Sequence, residues 1–320
     1  MNENQKVGGI FCDIRKAFDC VNHTIILDKL EVYGIKGKSK KLLKSYLTGR
    51  YQKVMIARGT LNSNSSEWEQ IKSGVPQGSI LGPLLFLLYI NDFPSVIPNP
   101  NCVVLFADDT IVLTTDSDIQ NLNIMANQLF SDVNLWFNSN LLTLNYKKTH
   151  YVEYKTNNYY QTRTNINYEG YYQTRTNINY EGNTIPNLTS TKFLGLIVDE
   201  TLSWNEHIDS AAKKLCSASY IVRNLKHSVS PTTMKTLYYA YIHPIISHGI
   251  IFWGRASKVT KLFTLQKRIV KIITDKKPRD SCRDAFRNMK ILTLFSQYLF
   301  SLIVFTVEND YHFNLNKDIH

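Results

Sequence analysis

The sequence predicts an α+β fold: antiparallel strands backed by helices, followed by a mainly helical C-terminal region. Three observations carry this. Two apolar, β-branched runs, Val103-Val104-Leu105-Phe106 and Thr110-Ile111-Val112-Leu113, flank Ala107-Asp108-Asp109. They read as a buried β-hairpin with acid at its tip. A second apolar strand, Gly8 to Cys12, also ends in acid, at Asp13. Finally, Ile119, Leu122, Met125, Leu129, Val133, Trp136 and Phe137 share one side of a long amphipathic helix over Ser117–Asn138.

Taken in order, the Asp13 strand turns toward a helix through Ala17-Phe18-Asp19. Ile25–Tyr33 and Gly37–Leu47 carry apolar stripes at helical spacing, and Tyr51–Ala57 and Glu67–Lys72 read as strands. Ser73-Gly74-Val75-Pro76-Gln77-Gly78-Ser79 is a tight Gly/Pro loop. Ser79 can cap the Ser79–Asn91 helix that follows, and Gly78 lets a ligand or nucleic-acid backbone approach closely. Pro94–Pro100 is a loop before the acidic hairpin. From Trp204 onward the chain reads as helical except near Pro231, Pro244 and Pro278. A perfect tandem copy interrupts this order: the twelve residues Tyr159–Gly170 recur at Tyr171–Gly182. Two copies are too few for a solenoid. They predict an extended surface hairpin or a looped-out insertion, with its tyrosines as an alternative base-stacking platform.

With 320 residues, 43% of them hydrophobic, the chain can bury a sizeable core. Its net charge of +11 is unevenly placed: residues 255–290 hold twelve Lys and Arg against three carboxylates. That is either a solvated helix face or a phosphate cradle, and an acidic site elsewhere in the chain favours the cradle. The five cysteines form no C-x-x-C pair, which argues against a zinc module. The Leu84–Ile90 run is too short to span a bilayer, and the chain opens on no secretory signal. The expected setting is intracellular, in cytoplasm and nucleus, with no membrane partner.

Adjacent carboxylates at a rigid hairpin tip are costly unless compensated. A divalent cation compensates them, and Asp13 at a nearby strand end would complete a hard-oxygen site for two ions. The alternative is an Asp-rich turn beside a strand-terminal capping Asp.

The ordered set Phe11-Cys12-Asp13 with Ala17-Phe18-Asp19, then Ser73–Ser79, then Phe106-Ala107-Asp108-Asp109, resembles the palm of reverse transcriptases. It is most similar to non-LTR, LINE-type retrotransposons of the jockey-like group. Leu144-Asn145-Tyr146-Lys147-Lys148-Thr149, Lys192-Phe193-Leu194-Gly195, Tyr241-Ile242-His243-Pro244, Trp253-Gly254 and Leu265-Gln266-Lys267-Arg268 extend the likeness over almost the whole chain.

The resemblance implies a palm over residues 1–200 and a basic, mainly helical thumb-like region over 201–320. It implies RNA-directed DNA synthesis with two Mg2+ ions, or Mn2+ in their place. Asp13 and Asp108 would bridge the metals, and Asp109 would be a secondary ligand or an electrostatic partner. Phe18 would exclude a ribose 2′-hydroxyl, and Gln77 and Gly78 would lie against the template and nascent base pair. Lys148 matches the family's lysine near the leaving group, or is a surface lysine beside Lys147. Lys261, Lys267, Arg268, Lys271, Lys276 and Lys277 would meet phosphates. The partners would be an RNA template, a DNA primer and deoxynucleoside triphosphates.

Relatives carry a fingers region and an endonuclease module upstream, so a chain that reaches Asp13 this early is expected to polymerise poorly alone. The rival reading is a catalytically inactive, nucleic-acid-binding remnant of such an element. Phe18 argues against a viral-type RNA polymerase, which shares a palm but accepts ribose.

Overall fold

The computed structural model describes residues 5–58, 62–98, 101–155 and 178–310. The chain divides into two compact units, Met1–Thr189 and Ser190–His320.

In the first unit the order is β1 (Lys6–Cys12), α1 (His23–Val32), α2 (Gly37–Leu47), β2 (Tyr51–Gln52), β3 (Met55–Arg58), β4 (Asn62–Ser65), β5 (Glu69–Gln70), α3 (Leu81–Ile90), β6 (Cys102–Phe106), β7 (Asp109–Asp116), α4 (Ile119–Ser139), β8 (His150–Tyr154), β9 (Ile178–Tyr180) and β10 (Asn183–Ile185). Four strands form an antiparallel sheet in the order β6-β7-β1-β8. β1 lies inside this sheet, which is why it reads as an unbroken apolar run. Ile10, Phe11 and Cys12 are all buried, whichever face they take. The helix α4 packs on β1 and β7 through Ala126, Leu129, Phe130 and Val133. Gly8 leaves room for a neighbour's ring, since a Cβ there would lie 2.2 Å from the Tyr151 hydroxyl of β8.

The Asp13 strand, both helices before the ribbon, the acidic hairpin and the long α4 form where their patterns predict, but only the β7 arm of the hairpin is buried: β6 is an edge strand, with Val104 38% and Phe106 61% exposed. Ser79 does cap: its hydroxyl accepts from the Gly82 N–H at 3.0 Å, and α3 begins at Leu81. The two strands expected around residues 51–72 break into shorter pieces. β2 pairs with β5 and β3 with β4, with a bulge between. Of the duplicated segment, only the last residues are described. Ile178–Tyr180 forms β9, which pairs with β10 and buries Ile178; the first copy lies outside the described residues.

The second unit opens with the hairpin β11 (Ser190–Phe193) and β12 (Leu196–Asp199), followed by α5 (Asn205–Leu225), α6 (Pro231–Leu237), a π turn at Tyr238–Ile242, α7 (His243–Ser247), α8 (Ile250–Trp253), α9 (Val259–Ile273), α10 (Arg283–Met289) and α11 (Leu294–Glu308). The hairpin packs on α5, so the division falls at 189/190 and not at residue 200. Pro231 sits in the first turn of α6, after a non-helical break at residues 226–230, where a missing N–H costs nothing; Pro244 follows directly on the π turn, so the helical run continues through it. The buried amide of Gln266 ties this unit together. Its Nε2 donates to the Tyr238 hydroxyl at 2.8 Å and to the Leu292 carbonyl at 2.9 Å, and its Oε1 accepts from the Leu294 N–H at 2.8 Å.

Among the described residues no single helix is long and apolar enough to cross a membrane; α10 and α11 reach that composition only as a pair bent by 50°. All five cysteines are free.

One glycine tests how the first unit is assembled. Gly74 has φ +88, and a Cβ there would lie 2.9 Å from the Asp19 Cα and carbonyl oxygen. Gly34 has nearly the same φ, +87, with open space around it. We expect Gly34→Ala to cost about 1–2 kcal/mol and Gly74→Ala roughly twice that or more, because backbone must also move. Thermal melts of the two variants check this; equal losses would show that the Gly74 contact is slack.

Candidate active site

The strand β1 releases the chain at Asp13, and the segment 143–149 laces onto it there. The Asn145 N–H donates to the Asp13 carbonyl at 2.8 Å, the Asp13 N–H donates to Thr149 Oγ1 at 3.2 Å, and the Arg15 N–H donates to the Thr143 carbonyl at 2.8 Å. Ile14 and Leu144 form a bridge between. The Asp13 backbone is therefore fixed while its carboxylate stays partly exposed. Lys148 approaches it, Nζ to Oδ1 at 3.9 Å, from a side chain that is itself mostly in solvent.

The hairpin of β6 and β7 closes with Phe106 paired to Asp109, so Ala107 and Asp108 form the two-residue turn. Ala107 takes φ +52, a region a residue with a Cβ rarely occupies. β7 also pairs with β1, and the last pair of that ladder is Cys12 with Thr110. One further step along the ladder sets Asp13 opposite Asp109. Their interaction shows in the Asp109 carboxyl, which is raised above the usual range, first by burial, then by the charges of Asp108 and Asp13. Asp13, Asp108 and Asp109 thus lie within electrostatic reach of one another. Among the described residues, however, no group of three or more His, Cys, Asp or Glu is drawn close enough together to hold a metal ion.

The Ser73–Ser79 loop is stapled to the turn after β1. The Gly74 N–H donates to the Val21 carbonyl and the Val75 N–H to the Phe18 carbonyl, both at 2.8 Å. His23 Nε2 donates to the Gly74 carbonyl at 2.8 Å, from a buried ring. The Ser73 hydroxyl donates to the Asp19 carbonyl at 3.1 Å, and Gln77 Nε2 donates to the Asp19 carboxylate at 2.9 Å. Gln77 and Gly78 remain exposed. Phe18 is half-buried, its ring 5.0 Å from that of Phe86, so one part packs on the core and the rest faces out. The sequence names Phe18 and Gln77 but not the roles of Asp19 and His23, whose contacts join segments more than fifty residues apart.

In the second unit the cations separate. Lys267, Arg268, Lys271 and Lys276 line a groove of about 460 Å³ with Arg223 from α5, and no carboxylate lines it. Lys271 also donates to the Pro278 carbonyl at 2.5 Å, and the Lys267 ammonium sits 4.7 Å over the Phe263 ring. Lys261 is not in this group. It pairs with Asp209 of α5 at 2.5 Å, in a separate groove. The Lys277 N–H donates to Asp280 at 2.8 Å, and its side chain is exposed. Arg223 is the member that a charge count over 255–290 misses.

Residues 1–198 match the profile of the reverse transcriptase (RNA-dependent DNA polymerase) family. The chain belongs to that family. The match takes in the whole first unit and almost all of the β11–β12 hairpin, and ends before α5. Over 291 residues the chain is 25% identical to the probable RNA-directed DNA polymerase from transposon BS of Drosophila melanogaster, covering 86% of this chain and 30% of that protein. It is also 25% identical to the corresponding protein from the X-element (90% and 30%) and 23% identical to that from the mobile element jockey (91% and 31%), both from the same organism. The chain therefore spans about a third of the length of these relatives. Among solved structures it is similar to telomerase from Candida albicans in complex with a fragment of telomeric RNA, at 13% identity and a TM-score of 0.46, over 90% of this chain and 51% of that one.

The raised Asp109 carboxyl has a measurable consequence for this family member. A group that holds its proton more tightly folded than unfolded adds stability that is full at acid pH and is lost as pH rises through its raised value. At neutral pH its charge is a net cost. We expect Asp109→Asn, which keeps the shape and removes the charge, to raise Tm at pH 7 by about 1–2 °C, solvent screening the rest. The gain should vanish toward pH 4. Calorimetry across that range checks it, and an unchanged or lower Tm at pH 7 would contradict the crowding of charge.

Proposed function

We propose that the chain carries the catalytic part of an RNA-directed DNA polymerase of a non-LTR, jockey-like retrotransposon. In this reading a primer 3′-hydroxyl attacks the α-phosphorus of a deoxynucleoside triphosphate, and pyrophosphate leaves. The first unit is the palm and the second a thumb-like region. One observation supports this most: two strands of one sheet end in acid at the same place, and the carboxyls there perturb each other.

The donor set suits a hard divalent cation. It consists of carboxylates only, and one of them is already disfavoured in its charged form. Asp13, Asp108 and Asp109 are the residues that would hold two Mg2+ ions, or Mn2+. Bound ions would supply charge for an attacking alkoxide and a leaving pyrophosphate. The chain's own contribution is positioning. The bond from the Asn145 N–H to the Asp13 carbonyl, and that from the Asp13 N–H to the Thr149 hydroxyl, hold Asp13 in register. Lys148, beside Asp13, would give a proton to the leaving group. Gln77 and Gly78, on a loop fixed by five hydrogen bonds, would meet the template and the nascent pair. Phe18, fixed on Phe86 and partly exposed, would close the space that a 2′-hydroxyl needs. The five-cation groove of the second unit, with Lys277 beside it and Lys261 apart from it, would take phosphates. We place this work inside the cell.

A second reading, a binding remnant without catalysis, is favoured by one observation: the three carboxylates do not form a closed ligand cluster. Primer extension on an RNA template separates the two. The chain is joined to the upstream region of a relative and supplied with Mg2+ and deoxynucleoside triphosphates. We expect extension that falls on the order of 100-fold or more in Asp13→Asn and Asp108→Asn, with ribonucleotide incorporation rising in Phe18→Val. Tight binding of primer–template with no extension by any version would establish the remnant.

A further inference from the structure

We propose that one face of the exposed β2–β5 ribbon binds single-stranded nucleic acid, with Tyr51 and Trp68 as stacking platforms and Lys53 as a phosphate contact. The inference rests on the reading that this chain works on nucleic acid, and it adds a site outside the carboxylate cluster and the cationic groove.

The register sets the face. Tyr51 pairs with Gln70 and Gln52 with Glu69. Side chains alternate along a strand, so Tyr51, Lys53, Trp68 and Gln70 share one side of the ribbon, while Gln52 and Glu69 take the other. The Lys53 ammonium confirms this, lying 5.2 Å over the Trp68 ring. The charge is sorted with it: the face that holds the rings holds a cation, and Glu69 is turned away.

These rings do not serve the fold. Trp68 is 63% exposed and Tyr51 60%, and neither belongs to either hydrophobic core. Large rings left in water are costly unless something covers them. A flat π-face beside an ammonium suits a base with its phosphate, a pairing that tolerates any sequence. Arg50 and Lys72, at the base of the ribbon, extend the positive charge. The position also fits. The Ile71 N–H donates to the Arg50 carbonyl at 2.9 Å, so the pairing runs down to the ribbon's base, and the chain passes from there directly into the Ser73–Gly78 loop. A template strand lying against Gln77 would meet the ribbon next, as a single strand. A duplex hides its base faces and could not stack there.

Fluorescence anisotropy on the complete chain tests this with three labelled probes: oligo-U and oligo-dT of about 12 nucleotides, and an RNA–DNA hybrid of the same length. Because Tyr51 and Trp68 are exposed, their variants should melt as the parent does. We expect Trp68→Ala and Tyr51→Ala each to weaken single-strand binding on the order of tenfold while leaving hybrid binding unchanged. Trp68→Phe should retain most of the affinity. Lys53→Gln should reduce the slope of log affinity against log salt by about 0.7.

Unchanged single-strand binding in both alanine variants would overturn the proposal. So would equal losses on single strand and hybrid, or a change of oligomeric state in Trp68→Ala, which would mean that the face is covered by protein. A triple Lys267/Arg268/Lys271→Gln variant separates the two levels of the argument. If that variant loses the hybrid while the ribbon variants keep the single strand, the ribbon proposal alone fails. If the parent chain binds no probe, the nucleic-acid reading fails and takes the ribbon with it.

Discussion

The antiparallel pairing of β1 with β7 is the constraint on which the first unit depends. It fixes where two strands end. Because both ends are acidic, it gathers negative charge at one edge of a sheet whose interior is otherwise apolar. The cost of that gathering shows in the Asp109 carboxyl, pushed up by burial and by its two neighbours. Such a cost persists only where the surrounding structure holds it. Here the support is the buried run Ile10-Phe11-Cys12 on one strand and Ile111 and Val112 on the other, with α4 packed behind. The burial of β1 also matters chemically for its last residue, since it pushes the Cys12 thiol up to about 12 and leaves it inert beside the acidic site.

Around this edge the chain adds two braces. The 143–149 segment holds the Asp13 backbone through the Asn145 N–H and the Thr149 hydroxyl, and the Ser73–Ser79 loop is held on the turn after β1. Main-chain N–H groups in both, and the buried His23 ring in the second, fix the backbone from which the exposed side chains Lys148 and Gln77 extend. Gln77 illustrates the logic. Its amide nitrogen is committed to Asp19, which leaves its carbonyl oxygen free to accept from whatever approaches. The second unit works by a different rule. Its cations sit where α5 and α9 bring together residues more than forty positions apart, and charge rather than shape distinguishes the groove.

What was legible in the sequence follows from the physics of each element. The hairpin and β1 were readable because they are apolar on both faces and end in charge. The helix α4 was readable because one face is buried along 21 residues. The ribbon over 51–70 was readable as strand at β2, β3 and β5, but its breaks and β4 were not, because the side chains described there are exposed and no burial period marks them. The breaks near Pro231 and Pro278 were readable because proline cannot continue a helix, whereas at Pro244 the chain stays helical through a π turn that no pattern marks. Of the site, residue types and spacing pointed to the three aspartates, and the family resemblance to Phe18 and Gln77. The partners that fix them could not be read. Asp19 holds Gln77 across 58 positions, and Asp209 neutralises Lys261 across 52. A count of charges along the chain cannot tell a paired lysine from a free one.

The central claim is that Asp13, Asp108 and Asp109 share one electrostatic environment at the end of β1 and β7. A carbon-13 NMR titration of the aspartate carboxyls measures this directly. The account predicts that Asp109 titrates above the usual carboxylate range, that Asp13→Asn lowers its pKa, and that Mg2+ lowers it further in the parent chain. An Asp109 that titrates normally, and responds neither to Asp13→Asn nor to Mg2+, would contradict the account.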